Sequence, residues 1–250
     1  MIDRQVPTGE KIYSSLFGLF NRVRSCDKRV LRNALSPSDL ELDPTNVPYW
    51  EYHELVGFVK MLEDLIPLHI QSVKTEIRLR LIGYCHIMEA DFPFAVMWNL
   101  LRIMEAQEPS WTFVVQDDKG KKIICEYPTQ KITAIANLAS QLNEPLGDCL
   151  TRLWVSGVRN AFSHSQYTLM VNYREHSGYM MRTKGLSPIS RKSPDEIQNG
   201  KGNPSFDDIR TLYQGALALL NCFDAKYNEA CKTFSISNRE FNRIGDPQDG

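Results

Sequence analysis

One short run in the chain combines residue types that can act on a phosphodiester: Arg159-Asn160-Ala161-Phe162-Ser163-His164. Cleaving RNA without a metal needs a base for the 2′-hydroxyl, an acid for the departing 5′-oxygen and a cation on the phosphate. A histidine titrates near neutral pH and can serve either of the first two roles. An arginine stays charged and offers paired N–H donors to phosphate oxygens, which suits the third. Asn160 would either orient His164 or bind the phosphate itself. A second pair, His86 and Glu89, lies three apart in Tyr84-Cys85-His86-Ile87-Met88-Glu89. On a helix that spacing makes a hydrogen-bonded pair or two ligands. Each residue also has a plainer reading: Arg159 in a surface ion pair, His164 satisfied by the last carbonyls of a helix, and His86 and Glu89 satisfying one another in the core.

The element that must position the motif is a helix over about 146–163, anchored by an apolar stripe of Leu150, Trp154, Val158 and Phe162. Residues of a continuous helix advance by roughly 100° each, so Arg159 and His164 point about 140° apart while Asn160 and His164 share a face. Arg159 then has to come round on its long side chain, or a second copy of the chain completes the site. Upstream, helical periodicity predicts one helix over 9–34, another from Tyr49 to about Ile70, and two apolar core helices over 76–106 that meet near Asp91-Phe92-Pro93. Trp111 to Val115 and Lys122 to Glu126 read as a hairpin around Asp117-Asp118-Lys119-Gly120. A further helix spans 130–142. After the motif, 167–173 and 178–182 form a second hairpin, 183–204 an exposed loop, and Ser205 caps a last helix running to about Phe234.

The Arg159-to-His164 run, set near the end of a helix, resembles the mark of the HEPN superfamily: Arg, then a polar residue, then His a short interval later. Asn160 directly after Arg159 fits that pattern. So do the apolar helix before it, and Tyr167, a β-like arm and a long closing helix after it. The resemblance implies a mainly α fold, a HEPN-like helical bundle with two small β-hairpins inserted. The resemblance covers about residues 50–235, and length and patterning give one domain over 1–250: an N-terminal helical extension over 1–48, the bundle over 49–235 with a β arm at about 167–190, and a flexible tail over 236–250. It further implies a homodimer that brings two motifs into one cleft for metal-independent endoribonuclease activity on RNA. Arg159, Asn160 and His164 would be catalytic, with Ser163, Tyr167, His86 and Glu89 in support, Glu89 as an acidic partner from an earlier core helix, and no cofactor. Many relatives are toxins or antiviral effectors, so an antitoxin or regulatory protein is an implied partner. The contrasting expectation is a non-catalytic helical interaction module that binds a protein or nucleotide with the same surface.

Bulk properties narrow the alternatives. A chain of 250 residues, 42% hydrophobic and 24% charged, can bury a sizeable core. Net charge of −1 argues against a protein that coats nucleic acid by overall charge, so RNA contacts must be focused. Basic residues gather in the first 34 positions and acidic ones in 39–64, a pattern read as solvated helix faces. The six cysteines are scattered with no CxxC pair, which predicts reduced thiols rather than a zinc site. Gly200-Lys201-Gly202 lacks the length and the following Ser or Thr of a phosphate-binding loop, and there is no HExxH and no nucleophile elbow. No apolar leader core opens MIDRQVPTGEK and no stretch approaches a membrane span, which predicts a cytoplasmic protein.

Overall fold

The computed structural model describes residues 6–36, 48–69, 71–116, 119–182, 203–234 and 236. Helix α1 (Gly9–Arg22) begins where the Thr8 hydroxyl accepts from the Lys11 N–H, and it buries Ile12, Leu16 and Leu19. It does not run on to residue 34 as its periodicity predicts. A 3-10 turn (Val23–Ser25) and an extended Cys26 intervene, and Asp27 accepts from the Arg29 and Val30 N–H groups to start α2 (Lys28–Leu35). A carboxylate that satisfies two open helix-start donors stabilises a fresh start at that point.

Helices α3 (Pro48–Leu68), α4 (Val73–Glu89) and α5 (Asp91–Met104) follow. The expected break between the last two falls at Ala90, whose backbone is extended, and Pro93 sits in the first turn of α5, where its missing N–H costs little. Every α5 residue from Phe92 to Leu101 is buried, the pattern of a helix surrounded by others. Strands β1 (Val114–Gln116) and β2 (Lys122–Ile124) pair antiparallel with Val115 opposite Ile123. The strand expected from Trp111 starts later. Trp111 instead donates its indole N–H to the Asn33 carbonyl, and Phe113 stacks on Trp98.

Helix α6 (Pro128–Gln141) leads to α7 (Leu146–Leu153) and α8 (Ser156–Ser163), so the single helix expected over 146–163 is two. Strands β3 (Tyr167–Asn172) and β4 (Ser177–Arg182) form the second hairpin, with Leu169 opposite Met180. The Met180 N–H donates to the Pro204 carbonyl, which ties the hairpin to the start of α9 (Phe206–Thr233). There Ser205 and Asp208 cap one another reciprocally, as the sequence predicts.

Helix α9 lies against both α4 and α1. At the α4 crossing Gly83 lets the helices close up, since a Cβ there would sit 2.5 Å from the Tyr213 ring. Ile12 and Leu31 of the first two helices belong to the same apolar core as Leu100 and Phe223. The fold is thus mainly helical, with two small antiparallel hairpins, as the patterning predicts. Among the described residues no helix is long and apolar enough to cross a membrane. The six cysteines are free thiols. The connection over 37–47, Asp117-Asp118 at the first hairpin tip, the loop over 183–202 with its Gly200-Lys201-Gly202, and the tail over 237–250 lie outside the described residues.

Candidate functional site

The site is assembled by α8 lying along α4, and the break before α8 sets its angle. Trp154 is extended and Val155 also departs from helical backbone angles, which leaves the Leu153 carbonyl and the Val155 N–H without helical partners. The buried Tyr84 hydroxyl of α4 supplies both: it donates to the Leu153 carbonyl and accepts from the Val155 N–H, each at 2.9 Å. Burial pushes this phenol well above its ordinary value, so it stays a neutral donor and acceptor. The break also corrects the predicted anchor stripe. Leu150 and Val158 are buried, but Trp154 and Phe162 are half-buried and no continuous helix aligns the four.

One turn into α8, Arg159 meets Glu89 in a two-pronged pair. Its Nε donates to Oε1 at 2.6 Å and its Nη2 to Oε2 at 2.9 Å, while Nη1 donates to Asn160 Oδ1 at 3.2 Å. Paired N–H bonds to one carboxylate fix the guanidinium plane as well as its charge. The Glu89 hydrogen bonds raise the Arg159 pKa further, so this side chain is a permanent cation. Its side chain is 24% exposed and that of Glu89 30%. Beneath the pair lies Cys85, whose thiol burial pushes up to about 12, with the Glu89 charge adding to the effect. A thiol held there is not a nucleophile at neutral pH.

Helix α8 then ends abruptly. The Gln166 N–H donates to the Ala161 carbonyl and the Ser165 N–H to the Phe162 carbonyl, with Ser165 at φ +52°. This closure satisfies the last carbonyls with backbone, not with the histidine side chain. His164 stands at the turn, exposed; its backbone N–H donates to the Asn160 carbonyl at 3.1 Å, while its imidazole makes no hydrogen bond or ion pair to Arg159, Asn160 or Glu89 among the described residues. Asn160 and Ser163 are exposed as well. The Tyr167 ring packs 5.8 Å from that of Phe162.

A cavity of about 710 Å³ opens beside this end of α8, with Phe162 and Ser163 on one wall and Phe58, His86, Glu89 and Asp91 among its other lining residues. His86 is exposed and lies against the Phe58 ring at 4.9 Å. It does not pair with Glu89, because Arg159 has taken that carboxylate. The geometry therefore brings together Arg159, Asn160 and Glu89 and leaves the imidazoles of His164 and His86 apart from them, His86 lining the cavity. Sequence reasoning named Glu89 as the acidic partner but not Tyr84, whose role depends on a backbone break that no local signal marks. Phe58 and Asp91 were likewise missed, since nothing in their spacing links them to the motif. Among the described residues no group of three or more His, Cys, Asp or Glu is arranged to hold a metal ion. No protein-family model, curated protein or solved structure matches this chain.

Proposed function

We propose that the chain is a metal-independent endoribonuclease of HEPN type, cytoplasmic and acting as a homodimer on single-stranded or loop RNA. The observation that carries this reading is the Glu89–Arg159–Asn160 array one turn before an exposed His164, with Glu89 and Ser163 lining a large cavity. A guanidinium has five N–H donors. Three are engaged by Glu89 and Asn160, and the other two, one on each terminal nitrogen, remain for a phosphate. In the reaction the 2′-oxygen forms a bond to phosphorus, the bond from phosphorus to the 5′-oxygen breaks, and a cyclic phosphate results. The 2′-hydroxyl proton passes to a base and the 5′-oxygen receives one from an acid. One imidazole holds one of these roles at a time, so a second copy of the chain supplies the other. A toxin, phage-defence or stress effector would use such an activity, held in check by an antitoxin or regulatory protein.

The test is cleavage of labelled single-stranded RNA by the purified protein, comparing wild type with Arg159→Ala and His164→Ala. Loss of an acid–base group costs roughly 100-fold or more, and chelator is expected to change nothing. Cleavage at wild-type rate by both variants would sink this mechanism. One observation favours a second reading: Arg159 is already bonded in a two-pronged pair, which suits a brace between α4 and α8 in a non-catalytic module that binds a protein or nucleotide. Under that reading the wild type cuts no RNA, and Arg159→Ala loses stability instead of activity.

A further inference from the structure

Lys74 and Arg78 are four apart on α4, both exposed, and neither has an ion-pair partner among the described residues. They face Ser165, Tyr167, Thr168 and Leu169 across a cleft of about 360 Å³ between the first half of α4 and the start of β3. The lining contains two cations and three hydroxyls and no carboxylate. At roughly 100° per residue, Lys74, Arg78, Cys85 and Glu89 fall within about 60° of one another on α4. One stripe of the helix therefore runs from cationic to acidic, with Arg78 and Glu89 about 17 Å apart along the axis. Helix α8 and β3 lie on this stripe. Ser163 lines the larger cavity, Ser165 lines the cationic cleft, and His164 stands between them. The Phe162 and Tyr167 rings, tilted against one another and one lining each space, form the dividing wall.

We infer that this cleft is the backbone-phosphate subsite of the proposed RNA site, in which Lys74 and Arg78 hold the strand that crosses His164. The assignment rests on the ribonuclease reading and adds to it the element that Arg159, committed to Glu89, does not supply alone. A phosphate is favoured here over the larger cavity, whose lining has no Lys or Arg and where Glu54 has no ion-pair partner among the described residues, Glu89 and Asp91 being paired with Arg159 and Lys131. There Glu54 can accept instead from base N–H groups, and the Phe58 and Phe162 rings offer faces for an unstacked base. The strand thus runs with its phosphates on the Lys74 side and a base on the Phe58 side. This arrangement gives a chain of net charge −1 a focused contact with RNA.

The test is a salt titration of binding to a 2′-O-methyl single-stranded oligonucleotide, which lacks the 2′-hydroxyl nucleophile, followed by cleavage kinetics on unmodified RNA. Each phosphate contact on a single strand adds about 0.7 to the slope of log affinity against log salt. Removing two with Lys74→Gln and Arg78→Gln together should flatten the slope by about 1.4. Between 50 and 200 mM salt this variant should then lose about sevenfold less affinity than wild type. Cleavage should show KM raised with kcat retained. Lys74→Arg with Arg78→Lys should keep the wild-type slope, and so should Lys28→Gln with Arg29→Gln on α2, outside the cleft. Both altered side chains are exposed, so unchanged thermal melts are expected to show that the fold is intact. A wild-type slope in the Lys74→Gln, Arg78→Gln variant, while RNA is still cut in a His164-dependent way, overturns the subsite and leaves the ribonuclease reading standing. Absence of binding and cleavage in the wild type overturns both.

Discussion

Arg159 shows how a residue's meaning depends on its partner. Alone on a helix it reads as a phosphate-binding cation, but two of its donors are committed to Glu89 and a third to Asn160. The pairing aligns the guanidinium edge-on and draws Asn160 into the same array. Under the proposed function Glu89 would be a positioning residue, and Glu89→Gln tests that role. The amide keeps the shape but loses one acceptor and the charge. At this degree of exposure the loss should cost about 1–2 kcal/mol, between the limits for surface and buried pairs. A brace alone predicts only a melting temperature lower by roughly 3–6 °C. A positioning role predicts in addition that kcat falls while KM for RNA holds, with partial rescue by Glu89→Asp. Unchanged kcat would reduce Glu89 to a brace. The triplet was legible in the sequence because Arg159, Asn160 and His164 are neighbours, and Glu89 was legible only as an acid on an earlier core helix. The loss of His86 from that partnership was not, since three-residue spacing does not say which of two partners a carboxylate prefers.

The elements obey their periodicity except where a single side chain interrupts them. The break between α1 and α2 was open to sequence reading, because Asp27 is a strong helix-start residue inside an otherwise regular pattern. The break between α7 and α8 was not. Its cause is Tyr84, far off in sequence, which replaces the helical bonds of the Leu153 carbonyl and the Val155 N–H with its own. Local pattern contains no record of such a bond, so the stripe from Leu150 to Phe162 looked continuous. Tyr84→Phe removes the hydroxyl and leaves two inward-facing backbone groups unpaired. That should cost about 2 kcal/mol and lower the melting temperature by roughly 4–8 °C. Because the bond sets the angle of α8, amide exchange should quicken first at residues 153–160. Exchange spread evenly over all helices would mean that Tyr84 supports the core and not this junction.

At the scale of the molecule, helical class and the two hairpins follow from pattern, but the fit of α4 against α9 depends on pairings distant in sequence. Glu76 is 2% exposed and accepts from Arg80 on its own helix and, at two oxygens, from Arg210 of α9. Arg210 extends the network to Asp207, and Arg80 lies over the Tyr213 ring near the Gly83 crossing. Burial by itself would raise the Glu76 pKa, yet the hydrogen bonds and charges of the two arginines outweigh it and hold the carboxyl below its ordinary 4.5. Its value is lower folded than unfolded, so the unfolded chain binds the proton more readily. The stabilising contribution is then fully present above pH 4.5 and is lost as pH falls through the lowered folded value. Glu76→Gln, which strands two guanidinium groups, should cost about 3 kcal/mol at neutral pH, or roughly 6–12 °C in melting temperature. The gap between wild type and variant should narrow as the buffer is taken from pH 6 to pH 3, because acid neutralises the wild-type carboxyl and leaves the amide unaffected. A gap that stays constant over that range would assign the stability of the α4–α9 contact to apolar packing around Tyr213 and not to the buried charge.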